Sequence, residues 1–175
     1  NPSGALRQHL RKRLDRWPVD VLPGHRVERA IKVLRTLAVS ASPRVWACMF
    51  RTVCNGWTTS RRFQQEGVCL LGCHGPRDED SIEHYARCPV STRWFEKYAG
   101  LSSDSPSNRL GMFLGLSLSG SHLVPNLRGG DEAATAATLL GLAMYALYKT
   151  ILAVRHGSLS REDAEDAFCS WIQSA

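Results

Sequence analysis

The 175-residue sequence predicts a mainly α fold: a helical domain with an inserted Cys-Cys-His-Cys zinc knuckle and a C-terminal helical hairpin. Three observations predict it. Apolar residues recur at helical spacing along most of the chain, and no run alternates as a half-buried strand would. Cys69, Cys73, His84 and Cys88 form a C-x3-C-x10-H-x3-C pattern. From Asp131 onward a long apolar stretch is followed, across Gly157, by a second amphipathic segment. With 43% apolar residues, a chain of this length buries one proper core, as one domain or two tightly packed halves.

In chain order, residues 4–16 read as a short basic helix ending before Pro18, and residues 20–24 as a Pro/Gly turn. The next helix spans 26–39. Its apolar residues Val27, Ala30, Ile31, Leu34, Leu37 and Ala38 form one stripe, and Arg29, Lys32 and Arg35 face away from it. Ser42-Pro43 places a capping side chain before a proline at the first helical position, opening a helix that carries Val45, Trp46, Met49, Phe50 and Val53. Asn55-Gly56 is its stop signal. A shorter basic helix over 59–66 leads into the knuckle. Beyond it, 91–99 is an aromatic helix with Trp94, Phe95 and Tyr98, and 101–108 is a Ser/Asp/Pro loop. Residues 109–118 are apolar without a decisive period, and 117–130 is again loop. The longest helix spans 131–156, and the last starts at Ser160, capped with Asp163, and buries Ala164, Ala167, Phe168, Trp171 and Ile172. The chain thus divides into a basic region (1–66), the knuckle with its following helix (67–99) and a C-terminal helical region (100–175).

Three thiols and an imidazole at short spacings suit one structural Zn2+, because zinc takes soft sulfur and nitrogen donors and closes a structural site with four of them. Asp80 with Glu83 reads as a helix N-cap and its capping-box partner, which puts His84 and Cys88 on one helical face until Pro89 stops the helix. His74 is the competing ligand. Cys48, Cys54 and Cys169 lie in apolar helical patterns and read as core packing. Six cysteines without a visible secretory signal point to an intracellular, reducing compartment, nucleus or organelle alike. The start at Asn1 rather than Met is expected of a fragment or a processed product.

Charge is unevenly distributed. Residues 1–66 hold thirteen Lys/Arg against four Asp/Glu, a local charge of +9, whereas residues 67–175 sum to −3. A polyanion is the natural partner of such a field. Arg26, Arg29, Lys32, Arg35, Arg44, Arg61 and Arg62 are the candidate phosphate contacts, with Arg87 presented beside them by the knuckle, and Trp57 or Phe63 offers a ring for stacking. The acidic group Asp78, Glu79, Asp80 and Glu83 reads as a solvated loop and helix cap rather than a nuclease metal site. No nucleophilic triad or phosphate loop is present, so the expectation is a non-catalytic module.

The run Asn55-Gly-Trp-Thr-Thr-Ser-Arg-Arg-Phe-Gln-Gln, then Cys69 to Cys73, then Asp80-Ser-Ile-Glu-His-Tyr-Ala-Arg-Cys-Pro89, resembles the zinc-binding segment that follows the polymerase in reverse transcriptases of non-LTR (LINE-type) retrotransposons. The likeness covers about residues 46–95, with Tyr145-Ala-Leu-Tyr-Lys149 similar to the family's C-terminal aromatic helix. The resemblance implies that Cys69, Cys73, His84 and Cys88 are the ligands and that the upstream region contacts RNA or target DNA. It departs from many relatives in the three-residue gap between Cys69 and Cys73. The Asp-Asp pair of a polymerase is missing, which excludes polymerisation by this chain alone. A second expectation is a domesticated fragment serving as a structural subunit of a ribonucleoprotein or membrane complex, with other subunits around helix 131–156. That helix has sixteen uncharged residues from Ala133 to Tyr148, short of the ~20 that a membrane span needs.

Overall fold

A computed structural model describes residues 2–75, 78–102, 108–127 and 129–175. Among the described residues there are eight α-helices and no strand, only two isolated antiparallel bridges. The helices are α1 (Pro2–Leu14), α2 (Pro23–Ser40), α3 (Pro43–Val53), α4 (Ile82–Tyr85), α5 (Pro89–Ala99), α6 (Arg109–Phe113), α7 (Glu132–Arg155) and α8 (Ala164–Ser174). The mainly helical class is therefore observed.

Pro23, Pro43 and Pro89 each open a helix, where a missing N–H costs nothing and the fixed φ is already helical. Asn55 adopts a left-handed conformation (φ 53°) just past α3, and the Gly56 N–H returns to the Arg51 carbonyl, the stop expected from Asn-Gly. Asp131 caps α7 through Ala134 N at 3.0 Å.

Two predicted helices are shorter than their patterns. Residues 59–66 form only a 3-10 turn over Arg61–Phe63, because Ser60 and Arg61 give their N–H groups to Asp80 of the knuckle instead of to a helix. The last helix begins at Ala164, not Ser160: Ser160 Oγ accepts the Asp163 N–H in a separate turn ahead of it.

Helix α7 is the axis. It packs against α2, α3, α5 and α8, burying Ala136, Leu140, Ala143, Met144, Leu147 and Ile151. Its 24 residues are long and apolar enough to cross a membrane by length and composition, and half of its apolar window is buried by the other helices. Residues of the basic, knuckle and C-terminal regions enter one continuous core, from Leu10 through Tyr85 to Phe168. The α7–α2–α3 crossing is close because Gly141 lacks a side chain: a Cβ there would sit 2.5 Å from Leu37 Cδ2 and 3.0 Å from Val45 Cγ1.

Trp17 ties the end of α1 to the end of α3 by donating its indole N–H to the Val53 carbonyl at 2.9 Å. On the far side, Glu165 of α8 accepts from Lys97 (2.9 Å) and Tyr98 (2.8 Å) of α5, and the Phe168 ring packs on Trp94, Phe95 and Tyr98. Gly141→Val is expected to force α7 off α2 and α3 and to lower unfolding stability by about 1–3 kcal/mol, read as a shift in denaturation midpoint at unchanged helix content.

Candidate metal centre

The four ligand candidates converge. Cys69 Sγ, Cys73 Sγ, the His84 ring nitrogen and Cys88 Sγ all lie within 4.8 Å of one another. Cys69 Sγ is 3.9 Å from Cys88 Sγ, and Cys73 Sγ is 3.3 Å from His84 Nε2. For a tetrahedral ion with bonds of about 2.3 Å to sulfur and about 2.0 Å to nitrogen, the edges are about 3.8 Å (S to S) and about 3.5 Å (S to N). These two separations are close to those edges and far from a disulfide's; all six cysteines are free. His74 is exposed and outside the cluster. The group can hold a metal ion.

Two backbone pieces supply it. Residues 69–73 form a tight turn, with Gly72 N–H bonded to the Cys69 carbonyl and Gly72 in the left-handed region (φ 65°), where a side chain would be strained. The other piece is the junction between α4 and α5. Here the capping expectation is corrected by one residue: Ser81, not Asp80, caps α4, accepting from His84 N at 3.0 Å. His84 and Cys88 also do not share a continuous helix. α4 ends at Tyr85, Arg87 N–H turns back to the His84 carbonyl, and Cys88 is the N-cap of α5, with Pro89 starting that helix rather than stopping one. A Val68–Glu79 bridge and the Asp80 N–H to Gly67 carbonyl bond zip the two pieces together.

Asp80 was expected on a solvated loop; its side chain is 1% exposed. Its Oδ1 accepts from Tyr85 OH (2.7 Å), and its Oδ2 accepts from Ser60 N (2.6 Å), Ser60 Oγ (2.8 Å) and Arg155 Nη2 (2.6 Å). Burial by itself would raise this carboxyl, but the Arg155 guanidinium and the donors from Ser60 and Tyr85 outweigh it and hold the group below the usual carboxylate range. Burial, then the Asp80 charge, pushes the Tyr85 phenol well up, so it remains a donor. In the sulfur cluster the Cys69 thiol donates toward Cys88, which together with burial pushes Cys69 up to about 12 and, from the accepting side, lowers Cys88. Burial raises Cys73.

The basic residues fall into different places. Lys32, Arg35, Arg44, Arg61, Arg62 and Arg87 are exposed. Arg26 is corrected: its guanidinium is buried and donates to the carbonyls of Leu14, Trp17, Val19 and Val21, pinning the α1–α2 connection and leaving nothing for a phosphate. Arg29 donates to the Leu116 carbonyl and, with Lys32, lines a cavity of about 370 Å³. Arg61 pairs with Glu79 at 2.6 Å and Glu83 at 3.8 Å. Trp57 is corrected as a stacking ring: it is 1% exposed, donates to Thr52 Oγ1 and packs on Tyr85, Phe113 and Tyr148, whereas Phe63 is exposed. Arg13 and Arg16, which the pattern did not single out, share a concavity with Arg61 and Arg62; the one signal for them was their place on the basic face of the first helix.

Compared with known protein families, with curated proteins and with solved structures, the chain matches none.

His84→Ala is expected to abolish stoichiometric metal binding, and His74→Ala to leave it intact, by elemental analysis of the purified chains. Asp80→Ala leaves Arg155 without its buried partner and is expected to cost about 3–5 kcal/mol at neutral pH. Because the folded-state pKa of Asp80 is depressed, its contribution is present above the unfolded value and is lost as pH falls through the folded one. The stability gap between wild type and Asp80→Ala in urea titrations is therefore expected to narrow in acid.

Proposed function

We propose that this chain is a non-catalytic nucleic-acid-binding module in which Cys69, Cys73, His84 and Cys88 hold one structural Zn2+. The donor set favours zinc among common ions: three thiolates and an imidazole at tetrahedral separations are the ligands of closed structural sites. Its role is mechanical. Coordination fixes the 69–73 turn against the α4–α5 junction, and Asp80, lying between Cys73 and His84, binds Ser60 at the head of the turn that carries Arg61 and Arg62.

That link between knuckle and basic turn is the observation that carries the reading. It is supported by the +9 charge of residues 1–66 and by exposed Lys32, Arg35, Arg44 and Arg87, which have no acidic partner among the described residues. The resemblance of residues 46–95 to the segment downstream of retrotransposon polymerases agrees with RNA or target DNA as the partner.

A structural-subunit role is the second reading, favoured by α7: Leu139, Leu142, Tyr145 and Val154 are only partly covered. It predicts no affinity for nucleic acid and a requirement for a protein partner.

The purified chain is expected to bind RNA or DNA with affinity that falls as salt rises. Replacing Arg62 and Arg87 by Ala lowers the slope of log K against log salt by about 1.8 on duplex DNA, or about 1.4 on single strands. Absence of binding at low salt would remove this reading. Cys88→Ser is expected to lose the metal and the order of residues 67–90, since structural zinc contributes on the order of 10–16 kcal/mol in small fingers. Cys69 and Cys73 are thiols near neutral pH in the metal-free chain, so each releases a proton on binding. Zinc affinity should then tighten as pH rises between about 7 and 8, read by chelator competition.

A further inference from the structure

We propose that the concavity between the end of α1 and the Arg61–Phe63 turn seats the phosphates of a single-stranded nucleic acid, with a base stacked on Phe63. This rests on the nucleic-acid reading above and names the form of the partner.

The concavity has a volume of about 380 Å³, within the roughly 300–1,000 Å³ of ligand sites. Arg13 of α1 and Arg16 just beyond it line the concavity together with Arg61 and Arg62, with Asn55 and Gln64 adding amide groups, and Glu83 is the one carboxylate among its described lining residues. The two pairs of arginines are far apart in sequence. They meet because the Trp17 indole bond to the Val53 carbonyl draws the end of α1 onto the end of α3.

Glu83 is engaged with Arg61, and Arg62 donates to the Trp57 carbonyl at 3.3 Å. Arg13 and Arg16 have no acidic partner among the described residues. Four guanidinium groups around one concavity repel one another, and an anion bound between them relieves that repulsion. A second concavity of about 440 Å³ shares Arg61 and Glu83 with the first and continues past Pro18, Glu79 and His84 to Arg87; its charges balance, so the cationic lining is confined to the first.

Phe63 decides the form of the polyanion. It is 57% exposed, and the Arg62 guanidinium lies 5.7 Å from its ring centroid. A ring with a cation beside it is a stacking platform that accepts any base. In a duplex both faces of each base are covered by its neighbours; in a single strand a face is free. An acidic peptide would satisfy the arginines but would leave Phe63 without a planar partner.

The test is fluorescence anisotropy on the zinc-loaded chain with labelled oligouridylate, oligothymidylate and a duplex of equal length, and with polyglutamate as competitor. Either single strand is expected to bind about 10-fold tighter than the duplex. Phe63→Ala should weaken single-strand binding about 10-fold, at the scale of one stacked base, with duplex binding and zinc content unchanged. Arg13→Ala with Arg16→Ala should lower the single-strand salt slope by about 1.4. Equal affinity for duplex and single strand, or wild-type affinity in both variants, overturns this inference and leaves the broader nucleic-acid reading standing. No binding to any oligonucleotide at low salt, or binding of polyglutamate in its place, overturns both.

Discussion

The buried carboxylate of Asp80 is the constraint on which the arrangement of the site depends. A charge removed from water must be matched by donors, and this one takes them from three parts of the chain: Ser60 before the basic turn, Tyr85 inside the knuckle and Arg155 at the last residue of α7. None of these can shift without stranding a buried charge. The knuckle, the arginine turn and the C-terminal helical region are therefore one mechanical unit, although they are well separated in sequence.

The thiol cluster sits directly on that unit. Its two halves, the 69–73 turn and the α4–α5 junction, are each short, and they enter the core through Cys69, Leu71, Ile82, Tyr85, Ala86 and Cys88. Backbone bonds from Asp80 to Gly67 and from Arg61 to Asp80 carry the order of the ligand turn into the cationic surface. In this arrangement the turn that carries the thiols and the basic turn are joined through hydrogen bonds that need no intervening element.

Arginine serves both interior and surface here. Arg26 spends its donors on four backbone carbonyls left open where α1 runs into α2, and Arg155 neutralises Asp80. Five N–H donors in a planar fork make arginine suited to such work, and lysine is a poor substitute for it. The remaining cations are spread over several faces, and four of them, Arg13, Arg16, Arg61 and Arg62, gather around one concavity. Charge counting along the sequence registers the total; the fold determines which guanidinium groups act together.

Local chemistry made much of this protein legible in its sequence. Apolar periodicity gave α2, α3, α5 and α7 to within a few residues, Asn55-Gly56 and Asp131 marked real helix ends, and the spacing of three sulfurs and an imidazole located a cluster that can hold a metal ion. These signals act between residues a few positions apart, so the chain itself encodes them. The sequence was silent where distant residues compete for the same groups. Asp80 left the cap position to Ser81 because Arg155, 75 residues away, reaches its carboxylate, and the 59–66 segment lost its helix because its N–H groups bond to Asp80 instead. Arg26 and Trp57 look identical in sequence to surface residues, yet they are buried because a surrounding shell of carbonyls and rings assembled only on folding. Spacing along the chain determined which ligands and helices exist; the three-dimensional placement of unpaired donors and acceptors decided which charges ended up inside and which faced solvent.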